Sequence, residues 1–227
     1  APWVMEKPGT PWARPGQVHD TSLGWRFTNP RFAAADRAVP AGADPREVKV
    51  TLSMGETAEE VAALDGITRA DSDAFALRSH RRAVAAQEAG HFDREIVPVP
   101  VRDGLVERDE GPRPSTTLEK LGRLRTVFRE DGIVTAGSSS PLSDGAAALV
   151  VASAAAVKRY GLTPRARVVT SASAGVQPNL MGLGPVPATE KALARAGWQT
   201  ADLDAVELNE AFAAQALAVI RRLKLDE

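Results

Sequence analysis

Three stretches of the chain gather glycine and small polar side chains where a backbone would turn. They are Thr135-Ala136-Gly137-Ser138-Ser139-Ser140, the run from Ala174 to Gly182, and Leu208-Asn209-Glu210-Ala211-Phe212-Ala213. They stand at the ends of predicted strands or helices, where open α/β proteins tend to place ligand sites. The same residue types also make ordinary turns, so both readings stand at this level. None of the three has the G-x-x-x-x-G-K-[ST] spacing of a phosphate loop or the G-x-G-x-x-G of a dinucleotide site. The chain contains no cysteine, which excludes a thiolate nucleophile, thiolate metal ligation and disulfides within these residues. His19, His80 and His91 are spaced too widely for a helical metal pair. No metal is expected, and each histidine reads as a surface or half-buried side chain.

These segments need elements to hold them. Thr57 and Glu60 have capping-box spacing and predict a short helix stopping near Gly66. Thr68 predicts the cap of a second helix, with Asp71 and Asp73 in its first turn, running through Phe75 and Val84 to Gly90. Glu95 to Val99 reads as an edge strand, because Pro98 cannot donate to a ladder. Thr116 and Glu119 predict a further helix with Leu118, Leu121 and Leu124 on one face. Beyond residue 143 the texture alternates. Ala146–Ala152, Arg167–Thr170 and Ala205–Leu208 read as strands, between helices from Ser153 to Tyr160, Ala188 to Ala196, and a last one striped by Phe212, Ala216, Val219 or Ile220, and Leu223. Such alternation predicts layered α/β packing with parallel character. The first 50 residues, rich in proline and glycine, read as irregular connecting structure.

A net charge of -1 gives no basic field for a nucleic-acid backbone, so nucleic acid is not an expected partner. No apolar run approaches the ~20 residues of a membrane span, and no targeting pattern opens the chain, so a cytoplasmic protein is expected.

The stretches Ser53 to Ala62, Asp73 to Ser79, Asp144 to Ala148, Gly182 to Ala188 and Asn209 to Gln215 resemble thiolase motifs and stand in thiolase order over almost the whole chain. The segment Asp20 to Phe27 is most similar to the 3-oxoadipyl-coenzyme A branch. The resemblance implies the layered αβαβα thiolase fold in incomplete form. Residues 1–142 would be the loop domain that covers the active site and binds coenzyme A, 143–165 the end of the N-terminal core half, and 166–227 the start of the C-terminal core half. It implies an acyltransferase that cleaves 3-oxoacyl-CoA to acetyl-CoA and a shortened acyl-CoA, or runs the reverse condensation. Coenzyme A would be a substrate with no tightly bound cofactor, and the complete protein a homodimer or homotetramer.

By the same resemblance Arg113 would lie against the adenine, Ala136 and Ser140 would line the pantetheine arm, and Met54, Met181 and Phe212 would wall the acyl pocket. Read from residue type alone, all three would instead be core, the two methionines as gap filler. Ser138 and Pro141 stand where the family has Asn and Gly. Asn209 would be the catalytic residue, holding a water that stabilises the enolate or oxyanion of the thioester. The family's cysteine nucleophile, Gly-His-Pro histidine and second cysteine have no counterpart in these 227 residues. The expectation is therefore a piece of a thiolase, inactive as given; the alternative is a non-catalytic acyl-CoA-binding module.

Overall fold

A computed structural model describes residues 3–5, 18–20 and 52–226 of the chain, the first two as backbone only. Its centre is three helices and one turn. Helix α1 (Met54–Asp65) is capped by Ser53, whose Oγ accepts from the Glu56 N–H (3.3 Å) while the Glu56 carboxylate accepts from the Ser53 N–H (2.8 Å). The capping box thus sits one turn earlier than the Thr57–Glu60 spacing predicts. Thr57 is inside the helix, its hydroxyl donating to the Met54 carbonyl (2.7 Å), and Glu59 and Glu60 are buried. Both positions satisfy the spacing, and the earlier box adds a full turn of helix before Gly66 ends it in the left-handed conformation (φ +63°).

Helix α2 (Arg69–Glu88) starts at Thr68 as the sequence predicts, with Asp71 closing the reciprocal box. Those bonds from Thr68, with Arg221 nearby, hold the Asp71 carboxyl below its ordinary range. Strands β1 (Trp3–Met5) and β2 (Val18–Asp20) pair antiparallel, as do β3 (Val99–Val101) and β4 (Gly104–Val106). Apart from β1 and β2, the expectations for the first 50 residues, and all of the Asp20–Phe27 segment but the Asp20 backbone, lie outside the described residues. Helix α3 (Leu118–Gly122) is capped by Thr117 rather than Thr116, and at five residues it is too short for a leucine stripe: only Leu121 is buried. Arg69 Nη2 closes its end, donating to the carbonyls of Leu121 (2.7 Å) and Leu124 (3.0 Å).

Helix α4 (Ala154–Tyr160) runs between the predicted Ser153 cap and Gly161. Helix α5 (Pro185–Ala196) begins one turn ahead of Ala188, with proline at its first position where no N–H is needed. Helix α6 (Ala213–Leu223) buries Ala216, Val219 and Leu223, as the stripe predicts. α1, α2, α6 and the 3-10 turn Pro178–Leu183 share one core built on Val61, Ile67, Phe75, Leu183 and Leu217. The alanines of α6 and Gly182 permit close approach: a Cβ at Gly182 would lie 2.7 Å from Gln215 Cγ, while Gln215 Nε2 donates to the Gly182 carbonyl (3.0 Å).

The strand expectations need correction. Glu95 belongs to a turn that closes α2, its N–H donating to the Phe92 carbonyl (2.9 Å), so the strand begins only at Val99. Ala146–Ala152, Arg167–Thr170 and Ala205–Leu208 form no ladder among the described residues. In the first of them Leu149 and Val150 are each 91% exposed. A strand exists only by hydrogen bonding to a neighbour, and the described residues provide none for these segments.

Candidate active site

The site is built from the loops that the small-residue segments predict, brought together by backbone pairing. Thr135 caps a 3-10 turn (Ala136–Ser138), with Ser138 Oγ accepting from the Thr135 N–H (3.0 Å). Ser138 is buried there and closes the turn on itself. The chain then runs extended. Ser139 pairs with Phe212 in an isolated antiparallel bridge, and the Ser140 N–H donates to the Ala211 carbonyl (2.9 Å).

That pairing places Ser140 and Asn209 on one cleft of ≈ 700 Å³, whose wall also includes His80, Gly111, Pro112 and Gly137. Arg113 and Ala136 are exposed and sit next to the lining residues Pro112 and Gly137. His80 joins these parts: its Nδ1 accepts from the Arg113 N–H (3.2 Å). Burial, and secondarily the Arg113 cation, push the imidazole below its ordinary pKa of 6.5, against an opposing pull from Glu210. A neutral ring is the state that can accept that bond. His80 is half-buried, as its sequence reading has it, but its role as the support of the Arg113 segment was not legible in a lone histidine. A larger groove of ≈ 1210 Å³ lies along α2 and the 199–208 segment. It touches neither Ser140 nor Asn209, so volume does not select the site; the convergence of polar groups does.

Met54, Met181 and Phe212 do not line the ≈ 700 Å³ cleft. Met54 opens α1, Met181 lies in the turn packed on α1, and Phe212 immediately precedes α6. With 38% and 44% of their surface exposed, Met54 and Met181 are not core filler. Phe128 ties Phe212 to α1, meeting the Phe212 ring edge-to-face at 6.0 Å and covering Gly55, where a Cβ would lie 2.1 Å from its ring. Sequence reasoning missed Phe128, a single aromatic in a charged loop with no periodicity to mark it.

The loop carrying Phe128 and Ala136 is held from below by α1. The buried Glu59 carboxylate accepts from the N–H groups of Ile133 (2.9 Å) and Val134 (2.9 Å), and Glu60 pairs with Arg129. Gly132 lets the backbone pass the carboxylate, since a Cβ there would lie 2.2 Å from Glu59 Oε1. Among the described residues no group of three or more His, Asp or Glu could share a metal ion, and no helix is long and apolar enough to cross a membrane.

The family description "Thiolase, N-terminal domain" matches residues 17–155, and "Thiolase, C-terminal domain" matches residues 162–227. The chain belongs to the thiolase family. It is 50% identical over 232 residues to the 3-oxoadipyl-CoA/3-oxo-5,6-dehydrosuberyl-CoA thiolase of Escherichia coli K12, covering 100% of this chain and 55% of that protein. It is 52% identical to a beta-ketoadipyl-CoA thiolase of Pseudomonas aeruginosa, covering 98% of this chain and 53% of the relative. It therefore spans about half the length of the curated relatives it matches. The Bacillus anthracis acetyl-CoA acetyltransferase superposes with a TM-score of 0.80 at 40% identity over 100% of this chain and 54% of its own. Human mitochondrial 3-ketoacyl-CoA thiolase in complex with CoA gives 0.76 at 42% identity over 91% and 53%. The fold is thus that of thiolases in incomplete form, as the sequence motifs imply.

Proposed function

We propose that this thiolase chain supplies the coenzyme A cradle and the Asn209 amide of an acyltransferase that cleaves 3-oxoacyl-CoA to acetyl-CoA and a shortened acyl-CoA, or condenses them. The beta-ketoadipyl and 3-oxoadipyl names of its relatives point to a dicarboxylic 3-oxoacyl group as substrate. The observation that carries the reading is the Ser139–Phe212 bridge, which sets Ser140 and Asn209 on one cleft beside the Arg113 segment. Adenine would stack on Arg113, the pantetheine arm would pass Ala136 and Ser140, and the acyl group would lie toward Met54, Met181 and Phe212. Phe128 would extend that wall. Residues 1–142 would act as the loop domain, 143–165 and 166–227 as parts of the two core halves, and the complete protein as a cytoplasmic homodimer or homotetramer.

Asn209 would hold a water by its amide N–H groups and so stabilise negative charge on the thioester oxygen. No cysteine is present to attack the thioester, so the 227 residues alone are expected to show no turnover. The test compares loss of 3-oxoadipyl-CoA with free coenzyme A in this chain, in a full-length protein that contains it, and in that protein with Asn209→Ala. The amide's removal should lower kcat by about 10²–10³, the usual effect of losing one oxyanion donor. Turnover by the 227 residues, or an unimpaired Asn209→Ala enzyme, would refute the assignment. Coenzyme A binding without turnover in the longer protein would support a non-catalytic acyl-CoA-binding module instead.

A further inference from the structure

Two neighbouring residues of α2 reach in different directions across the cleft. His80 holds the Arg113 segment, and Ser79 Oγ donates to Glu210 Oε2 at 2.6 Å, a bond between side chains 131 residues apart. Glu210 follows Asn209 directly. The two residues after Glu210 are also fixed, Ala211 by the Ser140 N–H and Phe212 by its bridge to Ser139. Those backbone bonds hold the far side of the segment, and the α2 side of Glu210 is held by Ser79. Ser79 and Glu210 lie at the protein surface, where a single polar pair contributes little to overall stability. What such a bond does determine is geometry: a carboxylate accepting a hydroxyl at this distance is charge-assisted and directional.

We propose that the Ser79–Glu210 hydrogen bond is a latch that orients the Asn209 amide, making both positioning residues for the reaction rather than catalytic ones. The inference rests on the role given to Asn209 above. Since α2 also carries His80, one rigid helix sets the distance between the coenzyme A segment and the asparagine. Misplacing a positioned group degrades the chemical step more than ground-state binding.

The experiment uses the full-length protein with Ser79→Ala, Glu210→Ala, the double variant, Ser79→Thr and Asn209→Ala. Loss of the latch should lower kcat about tenfold, with KM for coenzyme A within about twofold of wild type. The double variant should be no worse than the weaker single one, because both remove the same bond. Ser79→Thr keeps the hydroxyl and should restore most of kcat. Hydrogen–deuterium exchange of the 207–212 segment should quicken in Ser79→Ala and return in Ser79→Thr, a readout independent of activity. Wild-type kcat or unchanged exchange in Ser79→Ala would overturn the latch, as would a parallel fall of kcat, coenzyme A affinity and thermal midpoint, which marks a merely structural bond. An impaired Asn209→Ala with an unimpaired Ser79→Ala rejects the latch alone. A fully active Asn209→Ala rejects the catalytic reading and the latch's purpose with it, even where exchange quickens.

Discussion

Glu59 offers a test of how α1 sets the height of the loop that carries Phe128 and Ala136. Its buried carboxylate is the acceptor for two backbone donors, the N–H groups of Ile133 and Val134, and Val134 is itself 1% exposed. Glu59→Ala strands both donors, and a buried donor left without a partner costs ~1–3 kcal/mol; Val134 is buried while Ile133 is only partly so, and the loss of stability should be about 1–4 kcal/mol. That is a large share of the ~5–15 kcal/mol by which a domain is stable. Gly132→Ala attacks the same contact from the other side, placing a Cβ 2.2 Å from Glu59 Oε1, so that the carboxylate must shift at the end of its flexible stem. Overpacking of this kind costs about 1–3 kcal/mol. In the Glu59→Ala background the obstructing oxygen is gone, so the glycine change should cost almost nothing more. The coupling between the two sites should thus equal about 1–3 kcal/mol, the range found for residues in direct contact. Urea unfolding of the four proteins, compared at equal m, measures it. Additive losses, or a Glu59→Ala midpoint equal to wild type, would refute the idea that the carboxylate and the glycine form one contact. The loop's displacement should also weaken coenzyme A binding in Glu59→Ala, measurable by calorimetric titration.

Arg113→Ala should weaken coenzyme A binding by roughly 2- to 30-fold if the guanidinium stacks on adenine, a contact worth about 0.5–2 kcal/mol; unchanged affinity in the titration would displace adenine from Arg113. His80 gives the site a pH dependence whose sign follows from its lowered pKa. The folded protein disfavours the imidazolium, so the stabilising contact with the Arg113 N–H is fully present above the ordinary value of 6.5 and is lost as pH falls through the lower folded value. Coenzyme A affinity should accordingly fall below that pH in wild type, and His80→Gln, whose amide oxygen accepts without titrating, should flatten the profile. Equal profiles for the two proteins would show that the ring does not govern the segment.

What the sequence made legible was what short-range chemistry controls. Ser153 and Gly161 bound α4 because a hydroxyl acceptor and a residue tolerant of left-handed backbone are local requirements. Thr68 and Asp71 begin α2 for the same reason. The Thr57–Glu60 box failed because two consecutive boxes satisfy one rule, and the burial of Glu59 and Glu60 against the 129–134 loop, some seventy residues on, favours the earlier one. Strands failed for a related reason: alternation and apolar content describe what a segment can do, whereas a ladder needs a partner. Asn209, Ser140 and Arg113 were legible as candidates through the thiolase resemblance, and of these Ser140 and Asn209 line one cleft. Phe128, His80 and Ser79 were not, because each acts through one tertiary contact, to Phe212, to the Arg113 N–H and to Glu210.

The candidate site therefore divides into two kinds of residue. Ser140 and Asn209 line the cleft, and Arg113 and Ala136 adjoin its lining residues Pro112 and Gly137; these are the candidates that the thiolase resemblance names. Glu59, Gly132, Ser79 and His80 fix where those residues stand. Three of these four supports lie on α1 or α2, the helices that pack the core with α6. Arg113 reaches its place through α2, the 135–140 turn through α1, and Asn209 through the start of α6 and the bridge to Ser139. A change in how α1 and α2 pack would shift the Arg113 segment and the loop that carries Phe128 together, whereas a change confined to the 209–212 segment would move the Asn209 amide alone. Variants of Val61 or Phe75 in the shared core should therefore degrade coenzyme A affinity and kcat in parallel, and variants of Ser79 or Glu210 should separate them.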